Sequence, residues 1–300
     1  KYEMKPLSSL EKVFPDETPV YRMECQMLSG LWGETVSFQV AYTGDFVMRE
    51  RLDVRVVSEL AEHVHVRTVE MVPVGRATNG IVDDNYLKTT SGLYPDLLKD
   101  LKDGKVIVYS RQWRSLWVDV DITNEIPAGE YEIELQLIKE GEVVCSAKQK
   151  VTVIGTELPK LDIMHTEWMH ADCLADYYHV EVFSEEHWKL LENYFQEYVK
   201  RDCNMMLTSL FTSPLDTAIG LERTTCQLID VEVKDGEYVF GFEKLKRWID
   251  LCKKCGIEYF EMSHLFSQWG AKYAPKVVAT VNGKKEKIFG WHTPAVGEYT

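Results

Sequence analysis

The stretch Val153-Ile-Gly-Thr-Glu-Leu-Pro-Lys-Leu-Asp-Ile-Met-His-Thr-Glu-Trp168 divides the chain in two. Up to Val153, apolar and polar residues alternate with a period of two, the pattern of strands buried on one face. Beyond Gly155 and Pro159, which interrupt regular structure, apolar runs alternate with helical periodicity instead. The reading is a boundary here, with residues 1–155 forming a β-sandwich of immunoglobulin-like type. Residues 156–300 are read as the amino-terminal part of a (β/α)8 barrel, incomplete within this length because eight units need about 250 residues.

Outward from the boundary toward the amino terminus, Leu116-Trp-Val-Asp-Val-Asp-Ile122 alternates most cleanly. The turn Pro127-Ala-Gly-Glu-Tyr131 follows it, then Glu132–Ile138, a hairpin turn at Lys139-Glu-Gly-Glu142, and Val143–Val153. Val36–Tyr42, Leu52–Val57 and Val64–Val69 are further alternating runs, and short strands at this spacing favour two packed sheets. Asp83 to Asp103 reads as an insertion-like loop.

Toward the carboxyl terminus, Leu161–Trp168 reads as a strand. A helix is expected from about Glu185 to Lys200, with Ser184 as its N-cap and Trp188, Leu191, Tyr194, Phe195 and Tyr198 on one face. Asn204–Phe211 is the next strand. Gln227–Val233 and Glu237–Phe242 form a hairpin across Lys234-Asp-Gly236. A second helix from about Glu243 ends at the capping glycine Gly256, and Ile257–Leu265 is a third strand.

Composition narrows the function. The formal net charge of −14 argues against a nucleic-acid partner, which needs clustered Lys and Arg, and against anionic membrane surfaces. No run of 18 apolar residues offers a membrane span. The seven cysteines, at 25, 145, 173, 203, 226, 252 and 255, show no paired framework. That favours reduced thiols and a cytoplasmic setting, with secretion open if a leader preceding Lys1 is removed. Cys252-Lys-Lys-Cys255 has redox spacing, but it lies in an amphipathic helix without a second pair, so core packing is preferred.

In a parallel barrel, ligands bind where strands end. The three strands deliver His165, Glu167 and Trp168, with His170 and Asp172 just beyond; Thr208 and then Phe211–Thr217 with Asp216; and Glu261, His264, Gln268 and Trp269. Arg223 and Gln227 lie in the long loop after the second strand, and Trp291 follows later. Aromatic rings beside carboxylates, amides and histidines suit a pyranose, whose C–H face stacks while its hydroxyls need directional partners. Trp168, Trp269 and Trp291 are candidate platforms, with packing at the rim the other reading of each. Glu167 and Glu261 are a candidate carboxylate pair, with buried acids paired to nearby bases as the alternative. No metal-binding spacing, phosphate loop or dinucleotide fingerprint occurs, and no cofactor is expected.

His165-Thr-Glu-Trp168, Phe211-Thr-Ser-Pro-Leu-Asp-Thr217, Glu222-Arg-Thr-Thr-Cys-Gln-Leu228, His264-Leu-Phe-Ser-Gln-Trp-Gly-Ala271 and Ile288-Phe-Gly-Trp291 together resemble glycoside hydrolase family 123 and its wider relatives. The resemblance implies a hydrolase of terminal β-linked N-acetylhexosamine, chiefly N-acetylgalactosamine. It also implies substrate assistance: the 2-acetamido oxygen attacks the anomeric carbon and configuration is retained. His165, Glu167, Trp168, Asp216, Arg223, Gln227, Glu261, His264, Gln268, Trp269 and Trp291 are then the expected substrate-binding residues. The family's adjacent Asp-Glu pair has no counterpart after residue 160. Asp16-Glu17 is the only such step in the chain, so the pair is expected beyond Thr300 and this chain alone is expected to be inactive. A non-catalytic glycan-binding protein on the same scaffold is the alternative.

Overall fold

A computed structural model describes residues 1–20, 27–78, 80, 82, 85–160, 162–268, 270–297 and 299. The chain separates into two compact units, Lys1–Lys160 and 161–300.

The first unit is built of two five-stranded sheets. One contains β1 (Tyr2–Ser8), β3 (Thr35–Gly44), β8 (Arg114–Asp121), β5 (Val64–Val74) and β6 (Gly92–Asp100), in that spatial order. The other contains β2 (Met27–Trp32), β10 (Glu142–Glu157), β9 (Gly129–Lys139), β4 (Glu50–Val57) and β7 (Lys105–Val108). Their alternating inward residues meet in a common core. Phe38, Val40, Val118 and Val120 from the first sheet pack against Ile133, Leu135, Val151 and Val153 from the second. Burying one such side chain stabilises the fold by roughly 1.5–3 kcal/mol.

The expected loop at Asp83–Asp103 is corrected in its second half. Gly92–Asp100 is the edge strand β6, paired antiparallel with β5 through a bulge at Glu70/Met71 that sets Pro95 opposite Met71. Proline lacks an N–H for the ladder and is tolerated at an edge or beside a bulge. That tolerance made a real strand look like a loop.

The second unit overturns the expected barrel. Three α-helices occur among the described residues: α1 (Ala171–Tyr178), α2 (Glu185–Val199) and α3 (Glu243–Cys255). Only β11 (Met205–Thr208) and β14 (Tyr259–Met262) form the parallel pair that a βαβ rhythm predicts. The hairpin strands β12 (Asp230–Lys234) and β13 (Glu237–Gly241) instead join β15 (Val277–Val281) and β16 (Lys284–Phe289) in a separate four-stranded sheet, ordered β13-β12-β15-β16. The unit is therefore mixed, with β12 parallel to β15 but antiparallel hairpins on either side, and the isolated β11/β14 pair does not amount to a barrel.

The segment expected as a strand at 161–168 is not one in its described part. It runs beside the amino end of β11, where the His165 carbonyl accepts from the Asn204 and Met205 N–H groups at 3.0 and 3.1 Å. The Asn204 side chain replaces the rest of the ladder: its Oδ1 accepts from the His165 N–H at 2.8 Å, and its Nδ2 donates to the Ile163 carbonyl at 2.8 Å. An Asn side chain can satisfy backbone groups in this way and end regular pairing.

The helices cover one side of the parallel pair. Trp188, Leu191 and Phe195 of α2, Trp248 and Cys252 of α3, and Met206 of β11 share one core. The four-stranded sheet has its own, from Ile229, Val231, Val277, Ala279 and Phe289. No helix among the described residues is long and apolar enough to cross a membrane.

Candidate active site

The parallel register fixes two ends of the β11/β14 pair. At the amino end lie His165, Asp202, Cys203 and Asn204. At the carboxyl end the Ser263 N–H donates to the Thr208 carbonyl at 2.9 Å, leading into His264. In open sheets ligands gather beyond strand carboxyl ends, so each candidate is sorted by the end it reaches.

Trp168, Glu261 and His264 are joined directly. Leu207 pairs with Glu261 in the β11/β14 register, and Trp168 Nε1 donates to Glu261 Oε2 at 3.0 Å. The His264 ring meets the indole edge to face, with centroids 5.9 Å apart at 81°. This arrangement holds the indole by its polar edge and one ring contact. Trp168 remains 42% exposed, enough free face for an apolar ligand surface to stack upon.

Two residues further along, His170 Nε2 lies 2.6 Å from Asp216 Oδ2. The imidazole is almost wholly enclosed and Asp216 is half exposed. Asp216 adopts the left-handed backbone conformation, φ 54°, which Asp tolerates better than most non-glycine residues. Thus one short segment, 168–170, holds two carboxylates through two ring nitrogens: Glu261 of β14 and Asp216 of the loop after β11. His170 was noted in the sequence without being placed among the binding residues. Its signal was its spacing two residues beyond Trp168.

Other candidates serve the scaffold. Arg223 donates through Nε and Nη2 to both oxygens of Asp172, at 2.8 and 3.2 Å, with both side chains about nine-tenths buried. Its Nη1 also reaches the Leu215 carbonyl at 3.3 Å. The single cation of the long loop thereby clamps that loop to the first turn of α1. Gln227 is buried. Its Nε2 donates to the Ile229 and Val278 carbonyls, and its Oε1 accepts from the Val278 N–H at 2.9 Å, stitching the loop to β15. Trp291 donates from Nε1 to the Leu221 carbonyl at 2.9 Å and leans on Tyr273, holding the same loop from its other side.

His165 and Glu167 fall elsewhere. His165 Nδ1 approaches the Asp202 carbonyl at 3.2 Å, and Nε2 lies 3.6 Å from Glu167 Oε1. Both belong with the residues at the amino end of β11. Glu167 and Glu261 are thus not brought together as a carboxylate pair by any contact. Gln268 is half-buried near a turn closed by the Ser267 N–H to Tyr273 carbonyl bond at 2.7 Å. Trp269 lies outside the described residues. Among the candidates, direct contacts form two groups, Trp168 with Glu261 and His264, and His170 with Asp216, linked through the segment 168–170. Among the described residues, no group of three His, Cys, Asp or Glu is placed to hold a metal ion.

Residues 168–299 match the model of the glycoside hydrolase 123 catalytic domain. The chain resembles glycoside hydrolase family 123. Its fold is similar to that of a family 123 glycoside hydrolase from Clostridium perfringens, solved in a study of glycolipid glycan hydrolysis. The match has a TM-score of 0.68 and 13% identity, and covers 96% of this chain and 52% of that one. The chain therefore spans about half the length of that relative. The N-terminal domain of PorA (TM-score 0.25, 10% identity, 49% of this chain and 99% of that one) aligns only locally. So does a β-glucosidase from Listeria innocua (TM-score 0.24, 11% identity, 53% of this chain and 16% of that one). A comparison with curated proteins finds no match. The family 123-like segment begins at Trp168, the residue that anchors the Glu261 contact.

Proposed function

We propose that the family 123-like unit supplies part of the glycan site of a glycoside hydrolase. Its substrate carries a terminal β-linked N-acetylhexosamine, N-acetylgalactosamine first, and glycolipid glycans are the substrate class taken from the Clostridium perfringens relative. The observation that carries the reading is the Trp168–Glu261–His264 group, gathered about the carboxyl end of β14 within the matched segment. A tethered indole offers a stacking face. A carboxylate whose one oxygen is already bonded keeps its other lone pairs for sugar hydroxyls, and charged hydrogen bonds of this type are the stronger ones.

Chemistry in this reading is retaining and substrate-assisted, an accepted exception to the two-carboxylate scheme. The acetamido oxygen forms the bond to the anomeric carbon as the aglycone oxygen leaves with a proton from a general acid. Water then opens the resulting oxazoline. This chain's residues bind and orient the sugar.

Titration of the protein with methyl β-N-acetylgalactosaminide, followed by tryptophan fluorescence or NMR, tests the binding part. Trp168→Ala is expected to weaken binding about three- to tenfold, the worth of one aromatic contact, and Glu261→Gln about tenfold or more. Unchanged affinity in both variants would remove Trp168 and Glu261 from the site. Hydrolysis of an aryl β-N-acetylgalactosaminide by the whole gene product tests the mechanism. Retention of configuration is expected, with negligible turnover of the aryl β-galactoside that lacks the acetamide. Inversion, or equal turnover of both substrates, would overturn substrate assistance.

A further inference from the structure

The first unit carries a cleft of about 740 Å3 on the side where both sheets end, within the roughly 300–1,000 Å3 range of small-ligand sites. It opens beside β6 and β7, the edge strands of their respective sheets. Six cations line it: Arg49, Arg51, Lys99, Lys102, Lys105 and Arg114. Three acids, Glu50, Glu70 and Asp100, line it too, leaving a local excess of three positive charges in a chain of net charge −14.

Pairing leaves four of these cations against two acids, Glu70 and Asp100, without a salt bridge among the described residues. Arg51 is bound to Asp103 at 2.9 Å and Lys105 to Asp53 at 3.3 Å, both partners standing outside the lining. Glu50 is taken up by Tyr2 and Lys139. Among the described residues, Arg49, Lys99, Lys102 and Arg114 form no salt bridge. Arg114 is the most constrained of these. Its guanidinium sits 5.0 Å over the Tyr109 ring and gives one hydrogen bond, from Nη2 to Gln112 at 3.0 Å. Its Nε and Nη1 are buried without any acceptor. Buried unpaired donors cost free energy that an anionic oxygen would recover. Half-buried Met71 and exposed Ile107 add apolar surface among the cations, and a cleft concentrates the field of its charges.

We propose that this cleft binds an acidic glycan, a short chain of pyranoses bearing carboxylate or sulfate groups. The anions would meet the unpaired cations while the C–H faces lie along Met71 and Ile107. The choice of a glycan over another polyanion rests on the glycoside hydrolase reading of the second unit. The cation excess rests on the first unit alone.

Calorimetric titration of the purified protein tests it, using galacturonate trisaccharide, a sulfated galactose trisaccharide and the neutral galactose trisaccharide. At least one acidic sugar is expected to bind about tenfold or more tightly than the neutral one, with affinity falling as salt rises. Which acidic sugar binds identifies the anion. The exposed double variant Lys99→Gln/Lys102→Gln and the separate variant Arg114→Gln are each expected to weaken that binding about tenfold. Lys148→Gln, outside the cleft, is expected to leave it unchanged. The double variant keeps the test valid if Arg114→Gln unfolds. Absence of binding by either acidic sugar overturns the proposal, as does equal affinity for the neutral one or wild-type affinity in the double variant. Equally tight binding of oligoglutamate or an oligonucleotide would reassign the cleft to that polyanion. Loss of this binding alone, with Glu261-dependent sugar binding intact, would leave the hydrolase reading standing.

Discussion

At the scale of single residues, the Arg223–Asp172 pair shows how one side chain sets a loop. Arg223, expected among the substrate-binding residues, is held by the Asp172 carboxylate. Nine-tenths burial of both partners means that removing either leaves an isolated charge in a poorly solvated place. Such a loss costs about 3–5 kcal/mol. Arg223→Ala is therefore expected to lower the urea midpoint sharply, whereas Arg223→Met with Asp172→Leu recovers much of that loss. His187 is a second case. It is fully buried, accepting from the Phe183 N–H at Nδ1 (2.8 Å) and bonding the Ala171 carbonyl through Nε2 (2.9 Å). Burial pushes its pKa down, outweighing the opposing Ala171 carbonyl. The unfolded chain, with a His pKa of about 6.5, then takes up the proton first, so the stabilising contribution is complete above about pH 6.5 and falls away as pH drops through the lower folded value. Denaturation midpoints across that window should slope less steeply in His187→Gln than in the wild type. Of the residues brought together, Glu261 and His264 were legible from the end of β14, whereas Trp168 was named at the end of an expected strand that does not form. His170 was named just beyond Trp168 but left off the binding residues, because a histidine near a helix start carries little pattern of its own.

At the scale of elements, α2 and α3 follow from local rules. Ser184 Oγ accepts from the His187 N–H at 3.2 Å, satisfying a donor that the first turn leaves open. Ser184→Ala is expected to cost about 1 kcal/mol, read as a shift in thermal midpoint. Gly256 closes α3 at φ +103°, where a side chain is strained, and an added Cβ would also come within 3.4 Å of Val199 Cγ1. Gly256→Ala should destabilise by about 1 kcal/mol or more, measured the same way. The strands of the second unit were less legible. Alternation identified β12 and β13 but not their partners, because pairing is decided by residues far apart in sequence. Asp230–Lys234 reads equally well beside any compatible strand, and it is β15, some 45 residues later, that lies parallel to it.

At the scale of the whole molecule, the two units have separate cores, each with its own apolar interior, as independent domains require. Residues 1–160 expressed alone are expected to give a strand-rich circular dichroism spectrum and one cooperative unfolding transition. A molten spectrum without a transition would show that the sandwich depends on the second unit. The barrel expectation failed at this scale. Strand, helix and strand in sequence are compatible with a parallel barrel, but the rhythm does not reveal that the intervening hairpin leaves the parallel pair and builds a sheet of its own.

The sequence by itself determined that the pattern changes near residue 155, which runs alternate into strands, where α2 and α3 begin or end, and which motif set resembles family 123. These depend on local sterics, on capping and on periodic burial, all readable within a window of a few residues. Tertiary structure alone decided that β12 pairs with β15, that Asn204 ends the strand expected at 161–168, and that Arg223 and Gln227 brace a loop. It also decided that Trp168 meets Glu261, across 93 positions of chain, and that unpaired cations from the segment before β4, from β6, β8 and the β6–β7 turn line one cleft. Each is a meeting of distant residues, fixed by packing and hydrogen-bond satisfaction that no local pattern encodes.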